Sequence, residues 1–462
     1  MIYVDRSATS GANNGSSWAN AYTNLQTALG TATSGDQIWV ARGAYTPGTT
    51  QVSSFVLKDG VGLYGGYPAG GGTRDVAANV TVLSGDIDHN DTKDVDAVTT
   101  TISGKNASHV VTTNGNNSTA ILDGFTITGG NANGSSPKGR GGGMLNYSSS
   151  PTVTNCTFSG NSASRGSGMD NEFSSPTVTN CTFSGNTATY EGGGMLNIHS
   201  STPMVTNCIF NGNSANRGGG MCNHGSSPKV TNCTFSSNST VSGGGMFNIN
   251  SSTPTVTSCT FTGNTATLEG GGMLNYSSSP DVTNCTFTGN TAYGGSGMYN
   301  YSSSPTVTNC TFSGNSADTA GGGMFNVASS SPTLINCTFN SNSAEVIGGG
   351  ILNSENSNAR IYNTILWGNS GKEILNDDSK PTVSDCVIEG RYADGTNIIT
   401  ADPKLGTLGD YGGPTETIPI EPGSSAIDAA VYQSQVTQPT TDQRGIPRPQ
   451  GRACDIGAYE AP

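Results

Sequence analysis

The sequence predicts an all-β fold, a parallel β-helix, from three observations. The stretch SSPTVTNCTFSGNSA, which begins at Ser149, returns with small changes at Ser174, Ser226 and Ser303. Cys-Thr-Phe or Cys-Ile-Phe recurs every 25 to 27 residues, a period that suits one turn of a solenoid. Within each repeat, PTVT, CTF and GMLN are short β-prone pieces separated by clusters of Asn, Gly, Ser and Pro. We therefore predict a single-stranded solenoid with three short strands per turn.

Composition divides the 462 residues into four segments. Residues 1–50 are predicted to form an N-terminal cap, and residues 51–120 the first turns together with an acidic loop. Residues 121–390 hold the regular repeats, and residues 391–462 a C-terminal cap or tail. Because a solenoid grows lengthwise, we expect one long body rather than several domains.

The N-terminal cap is predicted to contain an amphipathic helix with Ser17 as its N-cap. A helix laid across the first turn would cover the unpaired rim of strands and stop edge-to-edge growth. The residues that share one helical face are Trp18, Ala21, Tyr22, Leu25, Ala28 and Leu29.

Stacking of identical turns places equivalent residues in columns along the axis. In the first full repeat the predicted inward residues are Met144, Val153, Cys156 and Phe158. Asn155 interrupts the alternation of inward and outward side chains between Val153 and Cys156, as an Asn in a left-handed turn does. A buried amide ladder is predicted at Asn161, Asn186, Asn213 and Asn264.

Eleven cysteines would ordinarily suggest a disulfide framework in a secreted protein. Eight of them share the inward column, so we interpret them as small buried hydrophobic residues. Cys222 and Cys454 lie outside this column and are free to behave differently.

The formal net charge of −13, with only 19 Lys and Arg, argues against nucleic acid and anionic membranes as partners. No run of 18 apolar residues is present, so we expect no membrane insertion. The first residues, MIYVDRSATSG, lack the apolar core of a leader peptide, and Met1 is expected to stand where a leader was removed.

The best catalytic candidates are Asp170 and Glu172, which project from one strand, because hydrolysis of a glycosidic bond needs clustered carboxylates. The competing interpretation is that they are solvated surface acids. A second chemical candidate is the loop GDIDHNDTKDVD, whose oxygen ligands would suit a structural calcium ion. Its proposed ligands are Asp86, Asp88, Asn90 and Asp94. We expect no other cofactor.

An exposed apolar and aromatic stripe is predicted beside those acids. If the Met of GGGM and the Asn two residues later point inward, the alternate residues of the same strands point outward. Exposed patches of this kind mark a protein partner, a sugar chain or a second copy of the protein. The inverted phase, with these residues in the core, is the alternative. The proposed ligand-binding residues are Tyr147, Phe247, Tyr276, Tyr299, Tyr301 and Phe325.

Parts of the chain resemble known families. FSGN and GGGM resemble the FxxN and GGA(I/L/V) repeats of polymorphic outer membrane proteins over about residues 121–370. The run DPKLGTLGDYGGPTETIPIEPGSSAIDAA, with TTDQRGIPRPQGRACDIGAYE, resembles the tail of bacterial surface proteins of the choice-of-anchor Q domain type. Those proteins look like right-handed β-helices of the pectin-lyase type. The resemblance implies a right-handed helix and an extracellular or cell-surface location.

These observations predict an adhesin-like module that binds a polysaccharide or a surface protein. Two alternatives stay open. The first is a polysaccharide lyase or glycoside hydrolase, and the second is a structural protein that forms homo-oligomers through the apolar stripe.

Overall fold

The computed structural model describes residues 1–134 and 139–462, and contacts divide the chain into two compact units, residues 1–228 and 229–462. Each unit consists of turns whose strands pair in parallel with the equivalent strands of the next turn. A regular turn has four strands, named here Met, Val, Phe and Ala strands after an inward residue of each. Their examples are Met144, Val153, Phe158 and Ala163. The predicted β-helix is confirmed, and the structure adds the short Ala strand to the three expected.

In the first unit these strands form four parallel sheets, and one antiparallel pair, Thr92–Lys93 with Thr99–Thr101, lies in the acidic loop. The Met sheet contains Phe55–Val56, Val111–Asn114, Met144–Tyr147, Met169–Glu172, Met195–Ile198 and Met221–His224. The Val sheet contains Ile2–Val4, Gln37–Ala41, Gly62–Tyr67, Ile121–Asp123, Thr152–Thr154, Thr177–Thr179 and Met204–Thr206. The Phe sheet contains Gly43–Tyr45, Thr81–Ser84, Thr126–Thr128, Thr157–Ser159, Thr182–Ser184 and Ile209–Asn211. The Ala sheet contains Asn131–Ala132, Ser162–Arg165, Thr187–Glu191 and Ser214–Arg217.

The second unit repeats the same four sheets. Its Met sheet contains Met246–Ile249, Met273–Tyr276, Met298–Tyr301, Met324–Val327, Ile351–Asn353 and Ile374–Asn376. Its Val sheet contains Lys229–Thr231, Thr255–Thr257, Asp281–Thr283, Thr306–Thr308, Thr333–Ile335, Arg360–Tyr362 and Thr382–Ser384. Its Phe sheet contains Thr234–Ser236, Thr260–Thr262, Thr286–Thr288, Thr311–Ser313, Thr338–Asn340, Ile365–Trp367 and Val387–Ile388. Its Ala sheet contains Ser239–Ser242, Thr265–Glu269, Thr291–Gly294, Ser316–Ala320 and Ser343–Ala344.

The N-terminal helix is shorter than the sequence predicts. Trp18–Asn20 is a single 3₁₀ turn, and the α-helix runs over Leu25–Thr31. The predicted N-cap at Ser17 is wrong, because the Asn24 side chain accepts hydrogen bonds from the amides two and three residues later, at 2.8 and 3.3 Å. Tyr22 stays outside the helix because it forms a parallel bridge with the first strand of the Val sheet.

The interior is held by the predicted columns. The amide ladder is confirmed: Asn161 Nδ2 donates to Asn186 Oδ1 at 3.0 Å, and Asn186 Nδ2 donates to Asn213 Oδ1 at 2.9 Å. In the second unit Asn264 Nδ2 donates to the next turn at 2.9 Å. Asn155 has the expected left-handed backbone, with φ 52°. Between successive turns, the Phe158 and Phe183 rings stack at 4.8 Å.

The cysteine column behaves as small buried side chains. Cys156 is 1% exposed, and its Sγ donates to Thr154 O at 3.1 Å. Burial raises the pKa of Cys337 to about 12, so this thiol stays neutral at physiological pH. Cys222 is also buried, whereas Cys454 is half-buried.

The C-terminal tail of the second unit lies along the outer face of the Phe sheet. Ile365 and Val387 of that sheet form a hydrophobic cluster with Ile420, Ala426 and Ile456 of the tail. Further along the same sheet, the buried Gln443 Nε2 donates to Thr286 Oγ1 at 2.8 Å. Two buried ion pairs hold the tail together, Arg444–Asp442 at 2.6 Å and Arg448–Glu460 at 2.8 Å.

Candidate functional site

The outer face of the Met sheet is the candidate site, because its residues change from turn to turn. Met144 and Asn146 have no exposed surface, so the second and fourth residues of each Met strand point outward. The expected phase is confirmed, and the inverted phase is wrong. We name the second residues the near column and the fourth residues the far column. In the first unit the near column is Leu145, Asp170, Leu196 and Cys222, and the far column is Tyr147, Glu172, Ile198 and His224.

The near column points away from the interior but is covered by the chain. Asp170 and Leu196 are fully buried. After each Ala strand the chain bends over this column at a glycine with positive φ, such as Gly166 at +58° and Gly192 at +68°. A Cβ on either glycine would fall 2.8 Å from the Cβ of the near-column residue. The first Gly of each GGG or GSG motif therefore permits a close crossing that no other residue allows.

Asp170 is not the solvated acid that the sequence suggests. It is fully buried, and neither carboxyl oxygen has a hydrogen-bond partner among the described residues. Burial raises the pKa of Asp170 to about 8, although the charges of Arg140 and Arg165 pull that pKa down. Asp170 is therefore predominantly neutral at pH 7, and it has no open path to a substrate in this conformation.

Two acids near Asp170, Glu172 and Glu191, contact basic side chains from neighbouring turns. Arg140 Nη1 lies 2.6 Å from Glu172 Oε2, and His199 Nδ1 lies 3.1 Å from Glu172 Oε1. Glu191 lies 3.7 Å from Arg217 and 3.8 Å from Arg165. Asp170 and Glu172 thus share a strand face as expected, but one is enclosed and the other is held in an ion pair.

Exposed rings lie beside this charged cluster. Tyr147 is 46% exposed and Phe173 is 54% exposed, with ring centroids 6.1 Å apart and nearly perpendicular planes. The Phe173 ring stacks on His199 at 4.8 Å. We name Tyr147, Phe173 and His199 the first aromatic edge. Sequence reasoning missed Phe173 and His199 because they follow their strands in a left-handed turn, with φ 52° and 58°, where alternation no longer applies.

The second unit has an aromatic edge without the charged cluster. Tyr276 is 42% exposed and stacks on the half-buried Tyr301 at 4.6 Å, with the planes 1° apart. We name this pair the second aromatic edge. Beside it in the near column, Tyr299 and Phe325 are half-buried and meet edge to face at 5.1 Å. Burial raises the pKa of Tyr299.

The expected exposure of Phe247 is wrong, since this side chain is only 3% exposed. It belongs to the near column, and a Cβ at Gly243 would fall 2.7 Å from the Phe247 Cβ. The chain crossing that buries Asp170 therefore covers Phe247 as well. Two tyrosines that the sequence analysis did not select, Tyr190 and Tyr293, are each 54% exposed on Ala strands.

Carboxylates of the acidic loop are held by Lys93 and by backbone amides. Lys93 Nζ lies 2.5 Å from Asp86 Oδ2. Burial alone would raise the pKa of Asp86, but the hydrogen bond and charge of Lys93 hold it below its ordinary value. Asp88 accepts from the Lys105 amide at 2.9 Å, and Asp94 accepts from the Val98 amide at 3.0 Å.

The proposed calcium site gains no support from this arrangement. Asn90 Nδ2 donates to Asp88 Oδ2 at 3.2 Å. The Asn90 amide is thus directed at a carboxylate and not at a position that the four proposed calcium ligands would share. Within the described ranges no group of three or more His, Cys, Asp or Glu side chains is placed to hold a metal ion.

Comparisons with known proteins give a family match and matches to distant solved structures. The family described as a right-handed β-helix region matches residues 84–235 and 174–339. A crystal structure of pectate lyase Pel9A aligns over 100% of this chain and 96% of its own, at 15% identity and a TM-score of 0.42. No curated protein matches. In the part of the chain described by the structure, no helix is long and apolar enough to span a membrane.

Proposed function

Because the chain belongs to the right-handed β-helix family, we propose that it is an extracellular scaffold whose aromatic edges bind a polysaccharide. The observation that carries this proposal is the exposure of rings on successive turns along the outer side of the Met strands, within each unit. Tyr147 and Phe173 present them in the first unit, and Tyr276 and Tyr301 in the second. Parallel strands lie about 4.8 Å apart, so neighbouring turns offer repeated contacts to a repeating polymer. The C-terminal resemblance to bacterial surface proteins supports the extracellular location.

The ligand is proposed to be an uncharged polysaccharide. Rings supply apolar surface with a polar tip, which suits the mixed apolar and hydroxyl surface of a sugar. The net charge of −13 disfavours a polyanionic chain. On the first edge, Glu172 is already paired with Arg140, so this pair offers hydrogen bonds rather than a net charge to the ligand.

Binding is favoured over hydrolysis by the state of the two carboxyls. A glycosidase needs an acid and a second carboxylate that both reach the scissile bond. Asp170 has no exposed surface, and Glu172 is held by Arg140 and His199. Activity on a polysaccharide that is lost in an Asp170→Asn variant would overturn this preference.

Self-association is the second candidate, and exposed apolar side chains on or just after the Ala strands of the second unit favour it. Leu268 is 46% exposed, Tyr293 54% and Val346 67%. Such a patch fits a second copy of the chain. Light scattering across a concentration series tests this directly. A Leu268→Ser with Tyr293→Ser variant should abolish any increase of the apparent molar mass with concentration.

The binding proposal is tested on a glycan array with two double variants. Tyr147→Ser with Phe173→Ser removes the first aromatic edge, and Tyr276→Ser with Tyr301→Ser removes the second. Truncating rings in a binding site is expected to weaken affinity at least tenfold, or about 1.4 kcal/mol.

Matched controls are Tyr190→Ser and Tyr293→Ser, which remove equally exposed rings from the Ala sheets. These controls should bind like the unchanged protein. Equal binding by all four variants would reject the aromatic edges as the site, and binding by none of the proteins would reject the function.

A further inference from the structure

A groove of about 720 Å³ lies in the second unit, between the outer face of the Val sheet and tail residues 435–441. We name it the tail groove. Its floor crosses four Val strands, from Asp281 through Thr306 and Thr333 to Arg360, which pair in register. At about 4.8 Å per strand the floor is about 14 Å long. This volume lies within the range of small-molecule sites.

The tail segment that forms the wall of the groove is anchored before the wall, at Val431, and at its end, at Thr441, to the column of asparagines at the corner of the β-helix. Asn363 Nδ2 donates to Val431 O at 2.9 Å, and the Val431 amide donates to Asn363 Oδ1 at 3.0 Å. At the other end Asn309 Nδ2 donates to Thr441 O at 2.8 Å. The groove therefore follows from how the tail docks on the turns.

Docking of the tail leaves one acceptor in the groove without a donor. In the corner column each Asn can donate to the Asn of the preceding turn, as Asn309 does to Asn284 at 3.2 Å. Asn336 departs from this pattern, because its Nδ2 donates to Asp455 O in the tail at 3.1 Å. Asn309 Oδ1 is consequently buried without a partner among the described residues, and Asn309 lines the groove. A buried orphan acceptor is costly and calls for a donor.

We infer that the tail groove is a second binding site, for a short segment of an uncharged, hydroxyl-rich oligosaccharide. Its lining consists mainly of hydroxyl and amide side chains, which exchange hydrogen bonds with sugar hydroxyls. One ligand hydroxyl can donate to Asn309 Oδ1, a second can donate to the Asp281 carboxylate, and a third can accept from Arg360. Asp281 and Arg360 balance in charge, so neither a polyanion nor a polycation is favoured. The inference rests on the proposed function for its ligand class but uses a different face of the protein.

Titration calorimetry with cellohexaose and xylohexaose, and with hexagalacturonate as the acidic comparison, tests this site in the full chain. Thr306→Lys fills the floor of the groove with a long side chain. Thr255→Lys is the matched control, because Thr255 is an exposed residue at the same position two turns earlier, outside the groove. The protein itself carries Lys229 in this column, which shows that lysine is tolerated there.

The expected result is that Thr306→Lys removes one bound neutral hexasaccharide per chain, or weakens binding at least tenfold, while Thr255→Lys binds normally. If Thr306→Lys binds normally and only Tyr276→Ser with Tyr301→Ser loses binding, the groove is rejected and the proposed function stands. If the unchanged protein binds no hexasaccharide, the groove is rejected, and the glycan array with the aromatic-edge variants decides the proposed function separately. Tighter binding of hexagalacturonate at the groove would overturn the ligand class.

Discussion

The outer faces of the two Met sheets share one backbone pattern but carry different chemistry. In the first unit the near column contains Asp170, with Arg140 and Arg165 close enough to affect its pKa. In the second unit the same column contains Leu274 and Tyr299, and their far-column neighbours are tyrosines. Both columns are covered by the same glycine crossings. Identical scaffolding therefore permits either a charged or an apolar surface.

The repeated residues determine the interior of the β-helix, whereas residues that differ from turn to turn determine the chemistry of its outer face. The inward columns satisfy their polar groups by stacking on themselves, so they tolerate little change. The outward columns have no such constraint, and a polar residue there needs partners from other turns. Specificity for a ligand is expected in these outward positions.

The largest effect on stability is expected when an acid like Asp170 of the first unit is introduced into the near column of the second unit. Leu274→Asp places a carboxyl in a near-column position that is only 4% exposed. Burial should keep this carboxyl protonated in the folded state at pH 7, whereas the unfolded chain ionises it. This proton linkage should destabilise the protein by about 3–5 kcal/mol at pH 7, in addition to the packing lost with Leu274. Urea denaturation measures this loss.

Leu274→Asn is the control for Leu274→Asp, because it removes the same packing without adding a charge. The difference between the two variants should vanish below about pH 4, where an aspartate is protonated. A difference that does not depend on pH would show that charge is not the cause.

The next effect concerns the interior, where the two units should respond alike. Asn186 and Asn290 each donate to the next amide of the ladder, at 2.9 and 2.8 Å, and to a backbone carbonyl at 2.9 Å. Asn186→Ala and Asn290→Ala should each cost about 2–4 kcal/mol, because the neighbouring amides lose their partners. Hydrogen exchange of the adjacent turns would report the loss, and clearly unequal costs would show that the interiors are not equivalent.

The sequence predicts the interior better than the outer surface, for a physical reason. Asn161, Cys156 and Phe158 are recognisable because each is repeated at the period of the turn and meets its own copy. Arg140 and Glu172 are 32 residues apart, and neither recurs at the period of the turn, so no local sequence pattern predicts their ion pair. The burial of Asp170 and Phe247 depends on where a glycine bend crosses, which strand alternation alone does not reveal. The lateral path of the tail likewise depends on contacts such as that of Gln443 with Thr286.

An effect that appears only at high pH is expected from Asp170→Asn, which matches the neutral form of the acid. Burial raises the pKa of Asp170 from 3.8 to about 8, so the folded state binds a proton that the unfolded state has lost between these values. The stability contribution of Asp170 is fully present below pH 3.8 and is lost as the pH rises to about 8.

Asp170→Asn should therefore leave stability nearly unchanged at pH 4 and raise it by roughly 4–6 kcal/mol at pH 9, at about 1.4 kcal/mol for each pH unit between the two pKa values. Thermal melts at the two pH values provide the measurement. Equal effects at both would contradict a proton-linked role for Asp170.

The smallest effect is expected at Glu373 in the second unit, where a buried carboxyl has partners that Asp170 lacks. Burial raises the pKa of Glu373 from 4.5 to about 7; hydrogen bonds from Asn369 oppose this shift, and the nearby charge of Glu389 adds to it. Its stability contribution is thus lost over the narrower window from pH 4.5 to about 7.

Glu389→Gln should lower the pKa of Glu373 and increase stability at pH 8 by less than about 1 kcal/mol. A carboxyl-carbon NMR titration detects the shift, and Glu345→Gln, with the same change in net charge, should leave it in place. If the pKa of Glu373 is the same with and without Glu389→Gln, the charge of Glu389 does not contribute, and burial raises this pKa as it does at Asp170.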